Sequence, residues 1–192
     1  MNTNRWRTVD IVVAAVIAVA FGVVFYGWDQ LSKAMDSTFP AFPPARALIA
    51  GVWFIPAVLG PLVVRKPGAG LFTETVAATI SALLGAQWGL VTILYGLLQG
   101  IGGEIPFAAT LYRNSSLPTA LVGGALAGGA AGFIDILIYY PTWSGGWKLA
   151  QVLISAGSGL VVAGAGSWLL TRALAGTGVL DRFPSGRERV AV

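Results

Sequence analysis

Residues 9–28 read VDIVVAAVIAVAFGVVFYGW, twenty consecutive positions of which one, Asp10, is charged. A helix needs roughly 20 mostly apolar residues to cross the hydrocarbon core of a bilayer. The run therefore predicts a membrane-spanning helix. A cleavable signal peptide would have a shorter apolar region followed by a small-residue cleavage site. The composition agrees, because 56% of the 192 residues are hydrophobic and 10% are charged, as in integral membrane proteins.

The same length rule predicts five further spans, separated by proline, glycine and short polar or charged stretches. The six predicted helices are Val9–Trp28, Ala47–Val64, Ala69–Leu84, Leu90–Tyr112, Leu117–Tyr140 and Leu149–Leu174. We therefore predict an all-α integral membrane protein, with residues 1–192 forming a single domain built as a six-transmembrane-helix bundle.

The basic residues divide unequally between the two sides of this predicted bundle. Three of the twelve, Lys33, Arg46 and Lys148, fall on one side. The other nine are Arg5, Arg7, Arg65, Lys66, Arg113, Arg172, Arg182, Arg187 and Arg189. Since loops rich in Lys and Arg stay in the cytoplasm, both termini are predicted to be cytoplasmic, including a basic surface tail over residues 176–192. We expect a multi-pass protein of the cell membrane, of prokaryotic type.

Several classes of function are disfavoured by residues that the chain lacks. Without Cys or His, it has no disulfide, no thiolate or imidazole metal site and no Cys or His nucleophile. The sequence contains neither a phosphate-binding loop nor a G-x-S-x-G elbow. The basic residues are scattered and form no stripe for nucleic acid. We therefore expect no metal, no cofactor, no ATPase activity and no enzyme activity.

Three carboxylates, Glu74, Glu104 and Asp135, fall inside the predicted spans. An ionised side chain in hydrocarbon costs at least roughly 2.5–3.5 kcal/mol on insertion scales. No Lys or Arg lies within the same apolar cores, so the carboxylates are predicted to meet a cation that arrives from outside the chain. For Glu74 two other roles remain open, as a partner of its own helix dipole or of Arg65 or Lys66.

Aromatic and amide side chains are predicted to crowd the outer half of the bundle near these carboxylates. Such residues also form ordinary belts at membrane interfaces. Combined with carboxylates, however, they suit a flat cationic heteroaromatic, which stacks on aromatic faces and donates hydrogen bonds to the acids. Besides the three carboxylates, the predicted substrate-binding residues are Gln99, Trp53, Trp88, Tyr95, Tyr139 and Trp143.

Small residues recur every four positions in three predicted helices, which lets helix backbones approach closely. In the fifth and sixth helices we interpret them as internal packing. In the first, Ala14, Ala18 and Gly22 suit either internal packing or contact with a separate membrane protein. The connection over residues 29–46 is long and rich in proline and aromatic residues, so it is either a lid over a site or an ordinary solvated loop.

An ordered set of segments resembles the YkoE-type substrate-binding (S) components of energy-coupling factor (ECF) transporters. The set comprises Gly51-Val52-Trp53-Phe54-Ile55, Arg65-Lys66-Pro67-Gly68-Ala69, Glu74, Gln99-Gly100-Ile101-Gly102-Gly103-Glu104 and Asp135. The resemblance runs from the first predicted helix to the sixth.

This resemblance implies a six-helix subunit of a vitamin importer that binds thiamine or its hydroxymethylpyrimidine (HMP) precursor. It also implies a complex with one transmembrane coupling protein and two cytoplasmic ATPases. Ala14, Ala18 and Gly22 would contact the coupling protein, and residues 29–46 would form the lid. The residues alone leave a second hypothesis open, a stand-alone proton- or cation-coupled carrier whose carboxylates form a relay.

Overall fold

The computed structural model describes residues 5–35 and 39–187. Parts of the predicted lid and tail, residues 36–38 and 188–192, lie outside the described residues. All regular structure in the described part of the chain is helical. The helices are α1 (Thr8–Ala34), α2 (Pro43–Val64), α3 (Ala69–Leu83), α4 (Val91–Ala109), α5 (Leu117–Ile138), α6 (Gly145–Gly176) and a short α7 (Pro184–Arg187).

Within the described residues, four helices are long and apolar enough to cross a membrane: α1, α2, α5 and α6. Helix α3 is apolar but shorter, with 15 residues. Helix α4 has 19 residues and includes Gln99 and Glu104. The predicted all-helical membrane fold is thus confirmed, whereas the full count of six spans stays a prediction.

Two helices extend further into residues 29–46 than the sequence predicts. Helix α1 continues past Trp28 to Ala34, because residues 29–34 contain neither glycine nor proline to stop it. Helix α2 begins at Pro43 rather than Ala47, with Pro43 and Pro44 in its first turn, where the missing N–H groups cost no hydrogen bond. Much of the predicted loop over residues 29–46 is therefore helical.

Two helices depart from regular α geometry at neighbouring positions. Residues Pro43–Phe54 of α2 form a 3-10 helix before the chain continues as an α-helix from Ile55. Residues Gly159–Ala165 of α6 form a π-helical segment. The hydroxyl of Ser158, just before that segment, accepts a hydrogen bond from Gly51 N (2.9 Å) and donates to Leu48 O (2.7 Å). The side chain therefore fastens the 3-10 segment to α6.

The helix ends gather into two groups, which we call the cavity end and the termini end. The cavity end contains the last turns of α1, α3 and α5 and the first turns of α2, α4 and α6, which line one common cavity. At the termini end, Trp6 Nε1 donates to Pro67 O (3.0 Å) and Ser185 Oγ donates to Val63 O (3.2 Å). Both described extremities of the chain therefore lie at the end opposite the cavity.

Glycines set the close crossing of α5 and α6, as the spacing predicts. A Cβ on Gly128 would collide with the carbonyl of Ser155, and one on Gly132 would lie 2.8 Å from Val152 Cα. Gly124 faces the backbone of Gly159 in the same way. The interpretation of these glycines as internal packing is confirmed.

The small residues of α1 are also internal, which contradicts their expected contact with a coupling protein. Ala14 and Ala18 are fully buried, and a Cβ on Gly22 would lie 2.6 Å from Ile80 Cβ of α3. The exposed face of α1 carries valines instead, including Val12 and Val16. The expectation was wrong because a small-residue stripe allows a close approach without specifying which helix makes it.

Candidate functional site

The candidate site is a cavity of about 330 Å³ at the cavity end of the bundle. Ligand pockets span roughly 300–1,000 Å³, so this volume suits a small metabolite. All six long helices contribute to the wall. The described lining residues are Phe25, Asp29, Ser32, Arg46, Ala47, Ala50, Trp53, Phe54, Ala78, Ser81, Trp88, Thr92, Tyr95, Gln99, Ala131, Asp135, Tyr139, Tyr140, Gln151 and Ser155.

Asp135 is held by side chains from two neighbouring helices. Its Oδ1 accepts a hydrogen bond from the hydroxyl of Tyr95 on α4 (2.5 Å), and its Oδ2 accepts one from Gln151 Nε2 on α6 (2.7 Å). Ser155 lies one turn beyond Gln151, and its buried hydroxyl has no hydrogen bond to any described residue. We call Asp135, Tyr95, Gln151 and Ser155 the Asp135 locus. Because each carboxylate oxygen can accept more than one hydrogen bond, Asp135 can also accept hydrogen bonds from a ligand.

Aromatic rings form two sides of the cavity. Tyr95 and Tyr139 are stacked, with ring centroids 6.4 Å apart and an interplanar angle of 29°. Trp53 and Trp88 meet edge to face, with centroids 5.4 Å apart. Such faces can stack on a flat ring or attract a cation.

The 3-10 segment of α2 builds a straight wall of the cavity. Ala47, Ala50 and Trp53 all line it and are spaced by three residues. In a 3-10 helix, with three residues per turn, side chains at that spacing eclipse one another. An α-helix would rotate each successive member of this set away from the cavity, so the tighter helix keeps the two alanines and the indole on one face.

Arg46 is a basic neighbour of Asp135, contrary to the expectation that the carboxylates have none within the chain. The sequence pattern predicts a loop at this residue, yet it lines the cavity and interacts electrostatically with Asp135. Asp29, also assigned to that loop, lines the cavity as well. The ionisable groups Asp29, Asp135 and Arg46 leave one formal negative charge in excess on the described wall, apart from the tyrosines.

Glu104 lies away from the cavity, contrary to the expectation that it binds substrate. It reaches the start of α3, where its carboxylate accepts hydrogen bonds from Gly68 N (2.7 Å), Gly70 N (2.5 Å) and Leu71 N (3.3 Å). The hydroxyl of Tyr112 donates a fourth bond (2.5 Å). The first N–H groups of a helix have no partner within it and attract negative charge. They satisfy Glu104 without an external cation.

Glu74 and Trp143 also lie outside the described cavity wall. Glu74 is fully buried, and its Oε2 accepts a hydrogen bond from Ala57 N (2.8 Å), close to where α2 changes from 3-10 to α geometry. Trp143 stacks on Tyr140, a lining residue, with ring centroids 3.8 Å apart. Neither side chain is therefore among those that line the described cavity.

The structure brings six of the nine predicted substrate-binding residues together at the cavity: Trp53, Trp88, Tyr95, Gln99, Asp135 and Tyr139. Sequence reasoning missed Asp29, Arg46, Gln151 and Ser155. For Gln151 and Ser155 a usable signal existed, because they lie four residues apart on one face of an apolar helix. Asp29 and Arg46 could have been found only by extending the predicted helices α1 and α2 into residues 29–46.

Comparisons with known proteins agree with this architecture. Residues 9–130 match the family described as "ABC-type cobalt transport system, permease component". The chain is 34% identical over 186 residues to the "Putative HMP/thiamine permease protein YkoE" of Bacillus subtilis (strain 168), covering 96% of this chain and 92% of that protein.

A solved structure shares both the fold and the sequence. It is described as "Crystal structure of an S-component of ECF transporter", and it superimposes with a TM-score of 0.91 at 33% identity. The match covers 97% of this chain and 94% of the other. With its apolar helices, the protein is a multi-pass protein of the plasma membrane, and its relatives are transporter subunits. The chain belongs to this permease-component family and is a YkoE-type substrate-binding (S) component of an ECF transporter.

Proposed function

We propose that the chain is the substrate-capture subunit of a vitamin importer and binds HMP or thiamine in the cavity. The observation that carries the proposal is the Asp135 locus, where a carboxylate and an amide face the cavity beside stacked tyrosines. The bacterial relative described as an HMP/thiamine permease supports this choice of ligand.

The chemistry of the Asp135 locus suits an aminopyrimidine, the ring that HMP and thiamine share. The exocyclic amine of that ring is a hydrogen-bond donor that a carboxylate such as Asp135 accepts. The ring nitrogens accept hydrogen bonds, and the Gln151 amide has a second N–H to offer. The ring itself is flat and can stack on Tyr95 or Tyr139.

The proposed orientation places the cavity end outward and both termini in the cytoplasm. The termini end carries most of the basic residues, whereas the cavity end carries Lys33, Arg46 and Lys148. Under the positive-inside rule this distribution favours six spans, with the cavity open to the outside. A substrate could then be captured before the chain contacts its energy source.

Energy would come from partner proteins, because the sequence contains no phosphate-binding loop. We propose one transmembrane coupling protein and two cytoplasmic ATPases as the partners, as the membership of the ECF family suggests. A stand-alone carrier would use the three carboxylates as a relay. Their hydrogen bonds instead go to separate partners: Glu74 bonds to Ala57, Glu104 to the start of α3, and Asp135 to Tyr95 and Gln151. This arrangement favours the importer subunit over the carrier.

Calorimetry on the detergent-purified protein tests the ligand. We expect wild-type protein to bind thiamine and HMP, and Asp135→Asn to weaken both at least tenfold, because a charge-assisted hydrogen bond to the shared amine is lost. Asp181→Asn removes an exposed carboxylate at the termini end and is the matched control, with unchanged affinity. Wild-type protein that binds neither ligand, or Asp135→Asn with wild-type affinity, would refute the proposal.

A further inference from the structure

Asp29 is a second carboxylate of the cavity, near the last turn of α1. Its side chain is 1% exposed. One oxygen, Oδ2, accepts a hydrogen bond from Gln87 N (3.0 Å) in the turn between α3 and α4. The other, Oδ1, has no standard hydrogen bond to a described residue, although the side-chain amide of Gln87 interacts with the carboxylate. A buried oxygen in this state has capacity left for a ligand.

The charge of Asp29 is less neutralised than that of Asp135. Asp135 has a hydrogen bond on each oxygen and interacts with Arg46, which lines the same cavity. Among the described residues, Lys33, whose side chain is exposed, interacts electrostatically with Asp29. Interactions with exposed charges are weakened by solvent and salt. A bound positive charge would therefore gain more at Asp29.

An indole lies on the cavity wall beside this carboxylate. The turn that hydrogen-bonds Asp29 through Gln87 N also carries Trp88, the next residue, which lines the cavity and contacts Trp53. Tryptophan is the best aromatic partner for a cation. Asp29 and Trp88 together therefore offer an anion and a π face, whereas the Asp135 locus offers an acceptor and an amide.

We propose that Asp29 and Trp88 form a second subsite, which binds the positively charged ring of a two-ring substrate whose aminopyrimidine ring lies at the Asp135 locus. The inference rests on the proposed function and refines it. Thiamine carries both an aminopyrimidine and a permanently charged thiazolium. HMP carries the aminopyrimidine alone. The cavity is then built for thiamine in preference to HMP.

The test is calorimetry with both ligands on wild-type protein and on the isosteric variant Asp29→Asn. We expect wild-type protein to bind thiamine at least tenfold more tightly than HMP. Asp29→Asn should weaken thiamine binding at least tenfold and leave HMP binding within twofold, because HMP has no charge to lose. Retained HMP binding also shows that the variant is folded, and Asp181→Asn serves as the charge control.

Three results would overturn the subsite. The first is wild-type protein that binds HMP as tightly as thiamine or more tightly. The second is an Asp29→Asn variant that binds both ligands as tightly as wild-type protein does. The third is an Asp29→Asn variant whose affinities for thiamine and HMP fall by the same factor. If Asp29→Asn does not fold, the wild-type preference decides alone. If these results appear while Asp135→Asn still weakens both ligands, the proposed function stands without the subsite. If wild-type protein binds neither ligand, both proposals fail.

Discussion

Glu104 shows how a buried acid in a membrane helix can be satisfied by the chain itself. Its carboxylate accepts three backbone N–H groups at the start of α3 and the hydroxyl of Tyr112. All four partners are donors, so the ionised form fits the site without a cation. The residue holds the start of α3 to α4 at the termini end and contributes nothing to the cavity wall.

We predict that Glu104→Gln destabilises the protein without changing ligand affinity. The amide would turn an N–H₂ donor toward groups that are themselves donors, leaving at least one of them unsatisfied. An unsatisfied buried polar group costs roughly 1–3 kcal/mol. The measurements are the midpoint of thermal unfolding in detergent and the Kd for thiamine, with Asp181→Asn as control. Tenfold weaker binding at unchanged stability would instead place Glu104 in the binding site.

At the scale of residues, the sequence predicted Asp135 and the aromatic rings of the cavity but not the full charge pattern. Asp135 was identifiable because a carboxylate in an apolar helix is costly and needs a reason. Glu104 met the same criterion and has a different function, since composition does not show which backbone N–H groups lie nearby. Asp29 and Arg46 lie in residues 29–46, where the sequence pattern indicates a loop and the structure has the ends of α1 and α2.

At the scale of elements, the crossing of α5 and α6 sets the geometry of the Asp135 locus. Asp135 lies on α5 and Gln151 on α6, and Gly128 and Gly132 lie two turns and one turn before Asp135. Because these glycines allow the backbones into contact, the hydrogen bond between Asp135 and Gln151 can span the crossing at 2.7 Å.

Adjacent glycines of α5 provide a matched test of this crossing. Gly128→Ala puts a Cβ into the carbonyl of Ser155, whereas the nearest atom to a Cβ on Gly129 is Ala156 Cβ at 4.0 Å. We expect Gly128→Ala to lower the free energy of unfolding by about 1–3 kcal/mol, as overpacking does, and to weaken thiamine binding. Gly129→Ala should leave both unchanged or raise stability slightly. Thermal unfolding and calorimetry on both variants are the measurements. If the two variants had the same stability and the same affinity for thiamine, the close crossing of α5 and α6 would be contradicted.

The helix pattern was predictable from apolar length, but the local geometry of two helices was not. The spans came from runs of apolar residues, which the structure places in helices except at a few span ends: α4 ends at Ala109 rather than Tyr112, and α5 at Ile138 rather than Tyr140. The 3-10 segment of α2 and the π-helical segment of α6 depend on tertiary contacts, such as the Ser158 hydroxyl between Leu48 and Gly51. A pattern of hydrophobic residues does not report such contacts.

At the scale of the whole molecule, the two ends differ in charge and in structure. The termini end holds most of the basic residues and the hydrogen bonds that join the two extremities of the chain. The cavity end holds the candidate site. If basic loops stay in the cytoplasm, the site faces outward and the partners that supply energy would meet the other end.

The absence of cysteine from the sequence allows one measurement to test the cavity, its orientation and its ligand together. Ala50→Cys introduces a thiol on the cavity wall, and Ser185→Cys introduces one at the termini end. In intact cells, we predict that a membrane-impermeant maleimide labels Ala50→Cys, that thiamine slows this labelling, and that Ser185→Cys reacts only after permeabilisation. Labelling of Ser185→Cys but not Ala50→Cys in intact cells, or labelling of Ala50→Cys that thiamine does not slow, would contradict an outward-facing thiamine site.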